Sequence, residues 1–565
     1  MKIRLRPTYL GAGSAVLLGA VLVVLAGQVS GVAKAQGAGD DVSASCDTAA
    51  IQAMAAADTT IVSAQRLETP VPHCRVEGYV TATNPGPNRD NFRLQLPARS
   101  LWKGRFYFVG LGGSAGYVPT ESQIPSGNPM RAGFAVAGTD TGRQGPSGDY
   151  SFLSDPVKAL DHTHRAAHLT TQAAQRITKA YYGVDKIWRY HSGCSGGGRM
   201  GGEAISHHPE DYDGVLLGQS RVGPKGTFGY SKFIQSIQEM NREPGAWLSP
   251  AKLKMVEAKV TQACDGADGA VDGVIWDHRL CRYDVAALKC KAAEGPECLT
   301  APEIKSIKAI LAGPHSPSGK LLVQPMPISN MSQWSMFLGA TPPPWSPNPN
   351  RDIVKTTAAG YVLANTTAQG LFGPSYDILR DFHFTQADID AWMAAEAKIG
   401  FHGEPDLTQA MKTGAKVLIW VGVSDPCCSD VQAEAYVRGL EGDMGRAKVA
   451  SFIKLYAIPG MGHCGGGTGP WDAPDRLLYA LIDWVEKGTP PTGVTMHRGA
   501  DRAKFAFGDV NLPKESGVAI PPPAGPSRDF FVCPYPMVSV FDKTKAKIAG
   551  AVYEAANWSC KASRT

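Results

Sequence analysis

Short apolar runs alternate with helical stretches in two separate parts of the chain. In the first part, a helical stretch from Asp161 to Tyr182 stands between two such runs, and Gly183 ends it. Strand, helix and strand at this spacing predict an α/β fold with a mostly parallel sheet and helices on both faces. The apolar runs cover residues 105–109, 134–137, 187–191, 212–218, 416–422 and 452–458.

The alternation stops between the two parts, over residues 222–401. This stretch is rich in Pro, Trp and Ser, as in Thr341-Pro342-Pro343-Pro344-Trp345. Because loops in compact domains rarely exceed about 15 residues, its length predicts a separate lid domain inserted between two strands of the sheet. The predicted organisation is a first part of the α/β domain at 36–221, the lid at 222–401 and a second part of the α/β domain at 402–565.

The first 35 residues have the pattern of a secretory signal. Lys2, Arg4 and Arg6 precede an apolar stretch at 15–26, and Ala33-Lys34-Ala35 provides a small-x-small cleavage site. A membrane anchor is the alternative. Since the sequence contains no other long apolar run, we expect the segment 1–35 to be removed and the mature protein to be soluble and secreted or periplasmic.

The net charge of the chain gives no indication of a polyanionic partner. Removal of residues 1–35 takes away four basic residues and leaves 52 basic against 51 acidic ones. A nearly neutral protein offers no electrostatic case for binding nucleic acid or anionic membranes. The sequence predicts nothing about the oligomeric state.

Twelve cysteines in a chain expected to be exported indicate disulfide bonds. Four cysteines, Cys194, Cys427, Cys428 and Cys464, stand apart, and three of them adjoin the candidate catalytic residues given below. The other eight fall into the local groups Cys46 and Cys74, Cys264 and Cys281, Cys290 and Cys298, and Cys533 and Cys560.

Ser195 lies between Gly193 and Gly197, directly after an apolar run. This pattern is typical of a nucleophile elbow, a strained turn from strand to helix that pushes the serine hydroxyl out of the sheet. The backbone N–H of Gly196 would then be placed to donate to an oxyanion. The alternative for the bare motif is an ordinary glycine-rich turn.

Three further signals complete a candidate hydrolytic site. A glycine cluster follows the run at 105–109, where α/β-hydrolases carry a second oxyanion donor. Gly113 is the favoured donor and Gly112 is the near alternative. A flexible turn without a catalytic role is the other interpretation of this cluster. Asp425 follows one late apolar run and His463 follows the next. Because Ser, Asp, His is the chain order of α/β-hydrolase triads, Ser195, Asp425 and His463 are the predicted catalytic residues of an α/β-hydrolase fold.

An acidic loop in the predicted lid suggests a metal site. Asp265, Asp268 and Asp272 are interleaved with glycines, and such a concentration of carboxylates suits a hard cation such as Ca²⁺. A solvated acidic turn is the alternative, although it would leave like charges close together. The spacing is not that of an EF-hand, which needs a glutamate at position 12.

The chain resembles the tannase and feruloyl esterase family, which includes terephthalate monoester hydrolases. Its marks cover nearly the whole mature chain, and the Cys-Ser and His-Cys pairs are the most specific of them. The marks are Ala180-Tyr181-Tyr182-Gly183, Gly193-Cys194-Ser195 with Arg199, the acidic loop, His463-Cys464, and Cys533-Pro534-Tyr535-Pro536 with Cys560.

The resemblance implies a serine esterase that hydrolyses carboxylic esters of aromatic acids, of feruloyl, galloyl or terephthaloyl type, through an acyl-enzyme. It implies a disulfide between Cys194 and Cys464. It also implies a structural Ca²⁺ in the lid, bound by the three aspartates with the carbonyls of Ala270 and Val274. The expected partner is a small aromatic ester. Alternatives are an esterase for aliphatic or oligomeric esters, a peptidase-like acyl hydrolase, and a catalytically idle binding protein on the same scaffold.

The chain departs from the family pattern in three places. Val421-Gly422 stands before the loop of the triad aspartate, where His-Gly is common. Gly196 stands where a threonine or another larger residue is frequent, and Cys427-Cys428 follow Asp425 where apolar residues are usual. With the other ten cysteines assigned, these two have only each other as disulfide partners. Ring strain favours two thiols, whereas an oxidising compartment favours a vicinal disulfide; the prediction is the Cys427–Cys428 bond.

Overall fold

A nine-stranded sheet forms the centre of the fold. The computed structural model describes residues 46–119, 129–219, 226–345, 350–353, 356, 358–400, 406–499 and 527–563, so the predicted signal at 1–35 lies outside the described residues. The strands are β1 (Thr59–Leu67), β2 (His73–Ala82), β3 (Asn88–Pro97), β4 (Arg105–Gly110), β5 (Phe134–Thr139), β6 (Trp188–Cys194), β7 (Gly214–Gly218), β8 (Lys416–Gly422) and β9 (Ile453–Ile458).

The sheet has a parallel part and an antiparallel part. The strand order is β1-β2-β3-β5-β4-β6-β7-β8-β9. From β5 to β9 all neighbours are parallel, whereas β1, β2 and β3 join as antiparallel neighbours. The predicted mostly parallel sheet is therefore confirmed. The three antiparallel strands were not predicted, since buried and less buried positions alternate along β2, unlike the continuous apolar runs of parallel strands.

Helices cover both faces of the sheet. On β8, Val417 and Ile419 face one core with helix residues such as Ile177, while Leu418 and Trp420 face the other. This alternation explains why the run at 416–422 is apolar throughout. The α-helices are α1 (Thr48–Met54), α2 (Pro156–Leu160), α3 (Ala166–Tyr182), α4 (Gly196–His207), α5 (Ser231–Asn241), α6 (Pro250–Cys264), α7 (Ala301–Ala312), α8 (Ser335–Leu338), α9 (Ala359–Phe372), α10 (Gln386–Lys398), α11 (Thr408–Thr413), α12 (Asp430–Met444), α13 (Arg446–Ala450) and α14 (Ala473–Lys487).

The helical stretch predicted at 161–182 is longer and less regular than expected. A π-helical turn at Asp161–Arg165 joins α2 to α3. Gly183 ends α3 in the left-handed conformation, with φ 64°, as a C-terminal glycine commonly does.

The long segment between β7 and β8 loops out from two neighbouring strands. β7 and β8 pair directly, with Leu216 opposite Leu418, so the segment leaves and rejoins the sheet at one place. Its regular elements among the described residues are helices α5 to α10 with short 3₁₀ turns and isolated bridges. They share an apolar core around Phe233, Trp334 and Trp392. The boundaries 222–401 for a lid domain stay a prediction.

The C-terminal region adds two small antiparallel sheets. The added strands are β10 (Val494–Arg498), β11 (Arg528–Val532), β12 (Met537–Phe541) and β13 (Trp558–Ala562), with β10 paired to β11 and β12 paired to β13.

Within the described ranges, every helix is too short or too polar to span a lipid bilayer.

Five disulfide bonds join ten of the twelve cysteines. All four local pairs expected from the sequence are formed, and so is the bond implied by the resemblance. The bonds are Cys46–Cys74, Cys194–Cys464, Cys264–Cys281, Cys290–Cys298 and Cys533–Cys560.

Candidate active site

Ser195 occupies a strained turn between β6 and α4. Its backbone has φ 59° and ψ −119°, a conformation that costs a non-glycine residue free energy and persists only where the surroundings enforce it. The glycines on either side permit the turn. A Cβ on Gly197 would lie 2.2 Å from the Gly110 carbonyl oxygen, and one on Gly193 would lie 2.6 Å from the Gly197 carbonyl carbon. The turn is therefore the tight strand-to-helix elbow expected from the motif.

Gly196 lies against the backbone of Gly113. A Cβ on Gly196 would lie 2.2 Å from the Gly113 carbonyl oxygen and 2.8 Å from its nitrogen. In this chain the contact leaves no room for a side chain at position 196. At Gly112, by contrast, an added Cβ would come no closer than 3.9 Å, to the Cys194 carbonyl oxygen. The geometry thus pairs Gly113 with Gly196 as candidate oxyanion donors.

Buried polar side chains hold the Gly113 loop in place. The Tyr150 hydroxyl donates to the Gly113 carbonyl oxygen at 3.0 Å, and Gly113 itself has φ 59°. Arg143 donates to the carbonyl and hydroxyl oxygens of Ser114 at 3.1 and 2.7 Å. Because a charged guanidinium with several acceptors forms strong hydrogen bonds, this loop is well fixed. The sequence pattern did not single out Tyr150 or Arg143.

Asp425 and His463 form a buried pair at the carboxyl ends of β8 and β9. His463 Nδ1 lies 3.0 Å from both carboxylate oxygens of Asp425. The His463 side chain is 7% exposed and the Asp425 side chain is 0% exposed. A carboxylate can only accept, so Nδ1 carries the proton and Nε2 is the ring nitrogen left to act as a base. The Cys427 N–H donates to Asp425 Oδ1 at 2.7 Å and helps to orient the carboxylate.

These groups line one cleft with apolar side chains of the segment between β7 and β8. The cleft contains about 540 Å³ of space, including its opening, and Ser195, Gly196, Gly113 and His463 all border it. Phe337 meets the His463 ring edge to face, with ring centroids 5.2 Å apart. The remaining wall includes Met336, Ile353, Ala359, Leu363, Tyr150 and Tyr230.

A family model for tannase and feruloyl esterase matches residues 74–560. The chain belongs to the tannase and feruloyl esterase family. The predicted family is thus confirmed, and with it the prediction that the protein is a carboxylic ester hydrolase.

Curated relatives agree with this membership, and solved structures share the fold. Proteins named probable feruloyl esterase B-2 from Aspergillus terreus and Neosartorya fischeri are each 29% identical, over 77% and 73% of this chain and 79% and 76% of their own lengths. The crystal structure of feruloyl esterase B from Aspergillus oryzae has a TM-score of 0.71 at 22% identity, covering 90% of this chain and 100% of that one.

A second solved structure, the tannin acyl hydrolase of Aspergillus niger, also has a TM-score of 0.71. It is 17% identical, and the match covers 92% of this chain and 95% of that one. Likeness at this level of identity concerns the fold alone. It confirms the predicted α/β-hydrolase fold.

In this family member, Gln219 connects the end of β7 to the histidine loop. Gln219 is fully buried with φ 39°. Its Nε2 donates to the Gly462 carbonyl at 2.7 Å, and its Oε1 accepts from the Cys464 N–H. The peptides on both sides of His463 are therefore held by one side chain. Sequence reasoning missed Gln219, since a lone glutamine after a strand carries no chemical signal.

The cysteines beside the triad form one bond, not two. Cys194–Cys464 joins the residue before Ser195 to the residue after His463, with Cα atoms 5.8 Å apart. Cys427 and Cys428 are both buried and lie outside the five disulfides, so the predicted vicinal bond is wrong. The Cys428 Sγ instead lies 2.8 Å from the Gln219 carbonyl oxygen. A bond between adjacent cysteines would need a strained ring, and this contact avoids it.

Arg199, part of the family mark, lies at the first turn of α4 behind the elbow. Its Nη2 donates to the His162 carbonyl oxygen at 3.2 Å and lies 3.0 Å from His162 Nε2. Burial lowers the pKa of His162 well below its usual range, and the nearby Arg199 and Arg143 charges add to the effect. His162 is therefore neutral and accepts from the guanidinium. This pairing links the elbow helix to the π-helical turn.

The acidic loop wraps tightly after α6. Asp265 accepts from the N–H groups of Asp272 and Gly273, and Asp268 accepts from those of Ala270 and Trp276. Ala270 and Val274, whose carbonyls the resemblance implies as ligands, are buried in the same loop. The sequence-predicted metal residues thus lie in one compact loop, and the metal site stays a prediction.

The charges of this loop fit a hard cation. Burial is the main cause that raises the pKa of Asp268 to about 7; hydrogen bonds from the Trp276 and Ala270 N–H groups act against it, and the Asp272 and Asp265 carboxylates act with it. Arg528 donates to Asp272 Oδ2 at 2.6 Å, which gives one of the three carboxylates a cationic partner. Carboxylate and carbonyl oxygens are the ligand types that Ca²⁺ takes, six to eight at a time.

Proposed function

We propose that this protein is an exported serine esterase that cleaves esters of aromatic acids. The observation that carries the proposal is the shared cleft: Ser195, at the strained elbow, borders the same space as His463, whose Nδ1 is held by both oxygens of Asp425. An activated nucleophile with a base and an orienting carboxylate is the arrangement needed for acyl transfer.

In the proposed reaction, His463 Nε2 takes the hydroxyl proton as Ser195 Oγ attacks the ester carbonyl. Asp425 keeps the imidazole in the right tautomer and stabilises the imidazolium that forms. His463 then gives the proton to the leaving alcohol, and the acyl group stays on Ser195. Water, activated by the same imidazole, releases the acid and restores the hydroxyl.

The N–H groups of Gly196 and Gly113 would stabilise the negative oxygen of the tetrahedral intermediate. Each such donor contributes roughly 3 kcal/mol in comparable sites. Support comes from the close approach of the two backbones, where a Cβ on Gly196 would overlap Gly113. The Tyr150 hydroxyl donates to the Gly113 carbonyl oxygen and so restrains the peptide that follows the proposed donor.

The wall of the cleft supports an aromatic acyl group. Phe337, Tyr150 and Tyr230 offer ring faces and edges, and Met336 and Leu363 offer flexible or branched apolar surface. Aromatic groups gain from such contacts beyond the burial of apolar area. The relatives named feruloyl esterase and tannin acyl hydrolase are consistent with this substrate class.

We also propose a structural Ca²⁺ in the acidic loop, held by Asp265, Asp268 and Asp272 with the carbonyls of Ala270 and Val274. The ion would offset both the burial and the neighbouring carboxylates, which together raise the pKa of Asp268. Export is supported by the signal-like segment at 1–35 and by the five disulfides, which persist in oxidising compartments.

The test is a hydrolysis panel of gallate, ferulate, terephthalate monoester, benzoate and butyrate esters with the purified mature protein, with Ser195→Ala as the control. We expect kcat/KM to be highest for one of the aromatic acids and to vanish in the variant. Preference for butyrate would replace the aromatic assignment with an aliphatic one. If no ester is turned over and no aryl ester gives a stoichiometric burst of phenol, the protein is a binding protein and not an esterase.

A further inference from the structure

A cluster of histidines lies away from the catalytic cleft, where α3 and the end of α4 meet. His164 and His168 are four residues apart, on the π-helical turn and on α3. This spacing places two side chains on one helical face, as in helical zinc-binding pairs. His207 and His208 come from the end of α4, and Glu210 follows them.

The rings of the two helices face each other closely. His168 stacks on His208 with centroids 3.6 Å apart, and His164 stacks on His207 with centroids 4.0 Å apart. His164 Nδ1 lies 3.2 Å from His208 Nε2. One ligand atom from each of His168, His208 and Glu210 lies within 4.8 Å of the other two. Ligands of a tetrahedral Zn²⁺ at bond lengths near 2.1 Å are about 3.4 Å apart, so an ion would bind once the stacked His168 and His208 rings turn until their lone pairs converge.

A buried carboxylate orients one of these rings. His168 Nδ1 lies 2.8 Å from Asp211 Oδ2, and the Asp211 side chain is fully buried. With Nδ1 donating to Asp211, His168 presents the lone pair of Nε2. Metal-binding histidines commonly have such a carboxylate on their other nitrogen, because it fixes the ring and makes it a better ligand.

The proposed ligands are open to solvent. The side chains of His168 and His208 are 22% and 21% exposed and that of Glu210 is 58% exposed, so an ion can enter.

We propose that His168, His208 and Glu210, with His164 adjoining, form a binding site for a borderline divalent ion of the Zn²⁺ type. Imidazole nitrogens with one carboxylate favour such ions over Ca²⁺. The ion would tie the end of α4 to α3. Since α4 begins beside Ser195, the site stabilises the helix that follows the elbow without touching the cleft.

The test is calorimetric titration of the full-length mature protein with Zn²⁺ in calcium-containing buffer. Cys427, Cys428 and His463 also offer three ligand atoms within 4.8 Å of one another. The titration is therefore made in a Cys427→Ser/Cys428→Ser background, which separates the two clusters. We expect one Zn²⁺ per chain, a rise of the melting temperature on binding, and visible absorption bands when Co²⁺ replaces Zn²⁺.

The variants assign the ion to the histidines. His168→Gln/His208→Gln should abolish the binding and the Co²⁺ bands, whereas the matched control His383→Gln, at an exposed histidine elsewhere, should keep both. Glu210→Gln, on an exposed side chain, should raise the dissociation constant at least ~10-fold and serves if the double variant fails to fold. No Zn²⁺ bound in the background protein overturns the proposal. Equal binding by Glu210→Gln and the His383 control also overturns it.

Discussion

The two walls of the cleft differ in how their residues are held. Ser195, Asp425 and His463 follow β6, β8 and β9, so parallel pairing and backbone hydrogen bonds set their positions. On the opposite wall, Met336 and Leu363 stand on helices α8 and α9 of the long segment between β7 and β8. These helices are kept in place mainly by apolar packing around Trp334 and Trp392.

This difference predicts which substitutions lower the rate of hydrolysis and which ones change the preference among esters. Positions fixed by backbone geometry carry chemistry that fails when an atom moves by an ångström. An apolar wall discriminates among substrates by only about 1–3 kcal/mol for each contact. The residues that follow the strands, here called the sheet wall, should therefore control the rate for every ester. The residues on α8 and α9, here called the helical wall, should control the choice among esters.

The largest effect is expected on the sheet wall. Ser195→Ala and His463→Ala should each lower kcat by at least ~10³-fold for every ester, because each removes a group that takes part in bond making or proton transfer. Melting temperatures should stay close to that of the wild type. Steady-state kinetics on the substrate panel measure this, and near wild-type turnover by either variant contradicts the triad.

A glycine pair gives a sharper test of the same wall. Gly196→Ala should lower kcat about 10²-fold, since its Cβ would lie 2.2 Å from the Gly113 carbonyl oxygen and must displace that peptide. Gly112→Ala is the matched control, because its Cβ would have no neighbour closer than 3.9 Å. Equal losses in the two variants would argue against the contact between Gly196 and Gly113 as the cause, and so against Gly113 as the second donor.

The triad order, the elbow and the parallel strands could be predicted because each depends on local sequence. A serine between glycines after an apolar run defines a turn by sterics alone. Gln219 could not be found in this way, since its role comes from contacts with Gly462 and Cys464, more than 240 residues away in the chain. The same holds for Tyr150, whose hydroxyl meets Gly113 only in the folded protein.

The predicted Cys427–Cys428 bond failed for a related reason. Redox compartment and cysteine count favour a bond, but neither states where the two side chains point. In the folded chain the Cys428 Sγ faces the Gln219 carbonyl oxygen and the Cys427 N–H faces Asp425.

The antiparallel strands β1 to β3 were missed because their alternating pattern differs from that of the parallel strands.

Removal of the proposed Ca²⁺ should act on the helical side of the comparison. Chelation would leave Asp265, Asp268 and Asp272 without a shared cation, so the melting temperature should fall by several degrees and recover when Ca²⁺ is added back. Differential scanning calorimetry with elemental analysis measures both. An unchanged melting temperature, with no bound metal found, would exclude the site. Asp268→Asn should reproduce the loss without chelator.

The smallest effect is expected at Met336. This side chain borders the cleft and is 40% exposed, so its truncation opens no core cavity. Met336→Ala should lower kcat/KM for aromatic esters about 10-fold relative to butyrate, through lost apolar contact. Met336→Leu, which keeps the apolar volume, should restore most of the preference. A uniform loss for all esters would show that the helical wall acts on the chemistry itself.

The most direct measurement is the mass of the acyl-enzyme. An activated aryl ester of an aromatic acid is mixed with the enzyme, quenched in acid during the burst, and digested for peptide mass spectrometry. The account predicts a mass increase equal to one acyl group on the peptide that contains Ser195, absent from Ser195→Ala. An acyl group on another residue, or continued hydrolysis by Ser195→Ala without any adduct, would contradict it.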